Sequence, residues 1–261
     1  QLEQAATMLA ALGRTQEAID AIERLPSDQP LTQSVQLLAA RLYAQVGRHE
    51  KATALCDAML KQPTVAAVQF IATYRAEQGD REGAIQALAM LDDMDLPAGQ
   101  RQAVLASHLS RYEGTAAAIE HYRQGIQQHP SHAALRHGLV VSLLAQGQVD
   151  EAVEQADQGR RAIPDDPALA AIAESKDLVR RVGRNVYATP LVASLITEPD
   201  YRQVALEVLK ELDAAMTSNE PPTTTLRRLR QRVDQNPQFL ALTNLVARLS
   251  LRMGQTDEAV S

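Results

Sequence analysis

The chain has 261 residues, 45% of them apolar, with a net charge of −6. That balance excludes a broad cationic face for nucleic acid or acidic lipid, and no apolar run approaches the roughly 20 residues of a membrane span. The single cysteine, Cys56, excludes an internal disulfide, and its inward helix position makes it a small buried hydrophobe.

From the N-terminus, residues 2–12 are predicted as a helix that stops at Gly13, and Glu17-Ala18-Ile19 opens an antiparallel partner ending near Pro26. The same pattern returns with Leu31–Ala44, Gly47 and a second helix through Ala52, Leu55 and Met59. It returns again with Val65–Glu77, Gly79-Asp80 and a helix carrying Ala84, Leu88 and Leu91. The acidic exit at 92–97 lacks the Gly and distal Glu of a calcium loop and is read as a solvated turn.

A fourth pair runs from Arg101–Arg111 through an irregular turn at Gly114 to Ala118, Ile119, Tyr122 and Ile126. The fifth lies between Pro130 and Pro164, with Leu135, Leu139, Val140, Leu143 and Leu144, then Gly147, then Asp150-Glu151-Ala152. Acids in that first turn suit the positive end of the helix dipole, and Pro164 forbids continuation.

Past Pro164 the period fades. Asp165-Asp166-Pro167 opens a helix predicted to run to about Gly183; shorter ones follow from Thr189-Pro190 to Ile196, from Pro199-Asp200 through Val204, Val208 and Leu212, and over Thr225–Val233. The phase returns at Pro237, and Gly254 to Ala259 repeats the motif Gly147 to Ala152. The helix 239–253 is therefore expected to lack its partner and to expose Leu242, Leu245, Val246 and Leu249, a surface for self-association.

Ala18, Ala52, Ala84, Ala118 and Ala152 mark equivalent points on five successive second helices, spaced by 34 residues or, once, 32. That is the period of an array of helical hairpins. Paired residues in the first helices (Ala5-Ala6, Ala39-Ala40, Ile71-Ala72, Leu105-Ala106, Leu139-Val140) and the positions Ile22, Cys56, Leu88, Tyr122 and Ala156 complete the pattern. It resembles the tetratricopeptide repeat family, although the family's Trp is absent and 166–236 match weakly. Three stretches are expected in one solenoid: regular repeats over 1–164, degenerate ones over 165–220, and truncated repeat-like units over 221–261.

The resemblance implies an all-α, right-handed superhelix whose first helices line a concave groove for a protein or peptide partner. Mapping the family's groove positions gives Glu3, Thr7, Leu37, Arg41, Gln69, Phe70, Thr73, Ala103, Ser107, His137, Val141, Asn244 and Arg248. The Lys and Asn that clamp a chaperone carboxylate terminus are replaced by Glu3, Thr7, Ser34 and Leu37, so that ligand does not match. Phe70 doubles as a core candidate, one buried aromatic per hairpin being ordinary.

Enzyme signatures are absent: no phosphate-cradling Gly loop, no His-Glu-x-x-His helix and no paired cysteines. No cofactor is expected. His129, His132 and His137 lack metal-ligand spacing and read as a polar turn with one groove histidine. Arg227, Arg228, Arg230 and Arg232 alternate with Leu226, Leu229 and Val233, the pattern of a solvated helix face. The expected function is a non-catalytic scaffold; the alternative is the repeat portion of a larger enzyme or of an export machine. Beginning at Gln1 without Met and stopping inside a predicted helix, the sequence reads as an excerpt, with cytoplasm and periplasm both open.

Overall fold

The computed structural model describes residues 2–26, 31–218 and 220–254, and among these it is all helix, with no strand. Two compact units emerge, residues 1–96 and 97–261.

The first unit holds three antiparallel hairpins: α1 (Leu2–Ala11) with α2 (Thr15–Glu23), α3 (Gln33–Gln45) with α4 (His49–Met59), and α5 (Val65–Glu77) with α6 (Arg81–Ala89). Each closes because small residues face each other where the backbones approach. Ala6, Ala18, Ala40, Ala52, Ala72 and Ala84 are all at most 1% exposed, and Cys56 lies beside them at 1%. Burial pushes the Cys56 thiol up to about 11. A short 3-10 turn, Met90–Asp93, follows α6 and buries Leu91 against the hairpin.

The second unit opens with the same construction: α7 (Gln100–Tyr112) with α8 (Thr115–Gln128), then α9 (Ala133–Ala145) with α10 (Val149–Ala162). Ala106, Ala118, Val140 and Ala152 are completely buried. The turn at Gly147 has φ +74°, and the amides of Gly147 and Gln148 close back on Leu144 and Leu143 at 2.9 Å, a left-handed cap that only Gly adopts without strain. Gly114 differs, at φ +109° and ψ +151°, which accounts for the irregular spacing there.

The degenerate stretch departs from its predicted form. The single helix expected over 165–183 is two, α11 (Pro167–Glu174) and α12 (Lys176–Gly183), broken at Ser175. The break turns Val179 and Val182 fully into the core, where α12 meets α10 and, further on, α14 (Arg202–Thr217). Val186, at the place of a small second-helix residue, is 68% exposed. Between them α13 (Thr189–Thr197) packs on α9 and α11.

Among the described residues the unit closes with α15 (Pro222–Gln235) and α16 (Leu240–Arg252). Here the expected exposed apolar face is corrected. Leu242, Leu245 and Val246 are at most 8% exposed and Leu249 is half-buried, because α13 and α15 cover α16. Glu198 reaches from the end of α13 to accept hydrogen bonds from the Leu240 and Ala241 amides, both at 3.2 Å, and Tyr201 stacks on buried Phe239 with centroids 4.9 Å apart. The Glu258-Ala259 motif lies outside the described residues.

The arginine run is solvated in part, with Arg227 and Arg228 exposed, but it also carries specific ties. Arg232 bridges to Glu207 and Glu211 on α14, Arg228 pairs with Glu220 at 2.8 Å, and Arg230 bonds Ser250 at 3.1 Å.

Candidate functional site

In the first unit, α3 buries Val35, Ala39, Ala40, Leu42 and Tyr43, and this leaves Leu37 half-buried and Arg41 exposed on another face. On α5, Ala67, Val68, Ile71, Ala72 and Tyr74 point inward, while Gln69 is exposed and Phe70 and Thr73 are half-buried. Phe70 is thus not a core residue; the neighbouring first helix offers it a cation instead of an apolar wall. The Arg41 guanidinium carbon lies 5.8 Å from the Phe70 ring centroid, a contact worth about 0.5–1 kcal/mol at an exposed site.

Behind this pair the geometry is fixed from below. Phe70 stacks on Tyr74 at 5.9 Å with a 15° tilt, and Tyr74 stacks on His49 of α4 at 6.2 Å. The buried Tyr74 hydroxyl lies 3.2 Å from the His49 carbonyl oxygen and 3.3 Å from Thr53 Oγ1. A surface aromatic is therefore held by a buried one, which is how a rigid contact residue is positioned.

The other candidate positions of this unit are on α1. Thr7 is exposed, but its hydroxyl donates to the Glu3 carbonyl at 2.9 Å, and the two line a shallow depression with Met8, Ser34 and Val35. The structure brings Arg41 and Phe70 into direct contact; Thr7 takes no part in that pair.

In the second unit the candidate residues do separate jobs. Ser107 is exposed and hydrogen-bonds the Tyr122 hydroxyl. His137 is tied down: its Nε2 meets Asp166 Oδ2 at 2.8 Å, and Asp166 Oδ1 accepts from the amides of Ala168 and Leu169 at 3.0 and 2.9 Å, capping α11. Ala103 and Val141 are half-buried, and Asn244 and Arg248 are exposed one turn apart on α16. His132 covers Gly99, where a Cβ would come within 2.8 Å of the imidazole. Among the described residues no three His, Cys, Asp or Glu side chains are grouped to hold a metal, and no helix is long and apolar enough to cross a membrane.

Sequence reasoning missed Tyr74 and His49 as the support of Phe70. The i, i+4 spacing of Phe70 and Tyr74 was the available signal.

Comparison with known proteins agrees with this architecture. Family models described as tetratricopeptide repeat match residues 4–67 and 115–175. No curated protein matches the sequence. A solved structure, the C-terminal part of a tetratricopeptide repeat-containing protein from Cytophaga hutchinsonii, is 14% identical, with 93% of this chain and 99% of that one covered and a TM-score of 0.43. The chain thus carries tetratricopeptide repeats in two separate stretches, each built of hairpins closed by buried small residues.

Proposed function

We propose that the chain is a non-catalytic scaffold that binds a protein segment on the exposed faces of its first helices. Tetratricopeptide repeats in general serve protein–protein interaction. The observation that carries the reading here is the Arg41–Phe70 pair, a half-buried aromatic held from below with a cation above it. Aromatic and arginine side chains dominate the energetics of protein contacts, because they bury large area with little loss of conformational freedom. Leu37, Gln69 and Thr73 share these helices and supply apolar and hydrogen-bonding groups. In the second unit Asn244 and Arg248 offer a further polar contact. Arginine favours a segment bearing carboxylates, which it meets in bidentate fashion.

The test is capture of a partner with the full chain, then measurement of its affinity for Arg41→Ala, Phe70→Ala and Asn244→Ala beside Arg160→Ala on α10. Loss of one buried contact costs about 1–3 kcal/mol, roughly 5- to 150-fold in Kd. Undiminished binding by all three face variants, with loss in Arg160→Ala, would place the ligand elsewhere.

A further inference from the structure

The fourth and fifth hairpins each lay a long polar side chain over a glycine of the partner helix. In the fourth, Gln102 of α7 lies against Gly125 of α8, where a Cβ would come 3.3 Å from Gln102 Cβ. In the fifth, 34 residues on, Arg136 of α9 lies against Gly159 of α10, where a Cβ would come 3.1 Å from Arg136 Cδ. The missing side chain leaves the stem its room. The two heads then fare differently. Gln102 donates to Gln128 Oε1 at 3.3 Å, but the residue equivalent to Gln128 in the fifth hairpin is Ala162, whose side chain has no acceptor.

Arg136 is 7% exposed and uses only its Nε–H, which donates to the Pro130 carbonyl at 2.6 Å. Nη1 and Nη2 hydrogen-bond nothing among the described residues. Nor are they sealed from solvent: the sealed polar side-chain atoms without a partner among those residues are His132 Nδ1 and Glu220 Oε1. Burial pushes the Arg136 guanidinium below its ordinary value, and no neighbouring charge of either sign adds to that shift or opposes it. A cation so deeply placed without a counter-ion is costly, and an acceptor at its open edge would relieve that cost.

We propose that Arg136 receives one carboxylate of a partner segment, whose two oxygens accept from Nη1–H and Nη2–H. The planar fork of a guanidinium matches the two oxygens of a carboxylate. A lone cation with no second charge beside it suits a monoanion rather than a phosphate dianion, and partial burial strengthens the attraction. The carboxylate can belong to an Asp or Glu side chain or to a chain end. The site belongs to the second unit and does not depend on the Arg41–Phe70 pair.

The probes are sodium acetate, the blocked peptide Gly-Gly-Asp-Gly-Gly, its Asn counterpart, and acetylated Gly-Gly-Gly with a free C-terminus. Each is titrated at constant ionic strength into the full chain carrying nitrogen-15 arginine, and the Arg136 Nε–H resonance is followed. A saturable shift with acetate is expected. A matching response to the Asp peptide assigns a side-chain carboxylate; one confined to the free C-terminus assigns a chain end. The Asn peptide should bind at least about 5-fold more weakly than the better carboxylate peptide. Arg136→Gln, a side chain that the fourth hairpin already accommodates, should keep the wild-type far-UV spectrum and lose any rise in melting temperature with acetate. Four outcomes would overturn the proposal: no saturable movement with acetate, no response to either carboxylate peptide, equal affinity for the Asn peptide, or tighter binding of inorganic phosphate than of acetate. None of them depends on a variant folding.

Discussion

The ring of Tyr122 occupies the space that a side chain at position 138 would need: a Cβ on Gly138 would sit 2.2 Å from Tyr122 Cζ. One helix supplies bulk and the next withdraws it, so α8 and α9 approach closely at this junction. Gly138→Ala should therefore destabilise by about 1–3 kcal/mol, despite the better helix propensity of alanine. Tyr122→Leu should recover part of that loss in the double variant, a coupling that urea unfolding of the four proteins would measure. Additive effects would show that the two residues do not compete for space.

The small second-helix residues are equally restrictive. Ala152 is completely buried, so Ala152→Leu should cost about 1–3 kcal/mol by overpacking. Gln148→Leu, four residues earlier and exposed, should change stability by less than about 0.5 kcal/mol. Comparison of the two melting temperatures checks the register directly.

This register was legible because glycine, alanine and proline act locally. Gly147 ends a helix wherever it falls, and Ala152 is small whatever it touches. Outside the regular repeats the deciding partners lie far along the chain. Nothing near Arg232 announces Glu207 and Glu211, and nothing near Leu242 announces that α13 will cover it. Phe70 shows the same limit within a regular repeat. Its spacing allows core or surface, and only the neighbouring Arg41 decides. The break at Ser175 left no proline or glycine to betray it.

Asp166 should prove the most costly polar residue of the second unit to remove. It is 8% exposed, caps α11 through two amides and holds His137. Asp166→Ala should lose the about 0.5–2 kcal/mol of a helix cap and leave His137 without its partner. His137→Ala should cost less, because the cap survives. Amide exchange at Ala168 and Leu169 would report the difference residue by residue.

Stability should fall as the solution is acidified through the histidine range. Burial, with a smaller contribution from neighbouring His129, pushes the His132 imidazole below its usual value, and burial does the same to His108. A histidine depressed in the folded state favours the neutral form there, so the unfolded chain binds the extra proton. Its contribution is complete above about pH 6.5 and is lost as pH drops from there through the folded value, at no more than about 1.4 kcal/mol per pH unit. His132→Gln should flatten the decline in melting temperature between about pH 6.5 and 5. An unchanged slope in that variant would assign the effect to other groups.

Glu198 holds the first amides of α16 from more than forty positions upstream. The chain between them is a closed ring in the topological sense, clasped by two hydrogen bonds and the Tyr201–Phe239 stack. Separating α13 from α16 releases the clasp, so α16 is a sentinel for that junction. Isotope labels placed on Leu240 and Ala241 alone would register whether the two ends of that ring are joined.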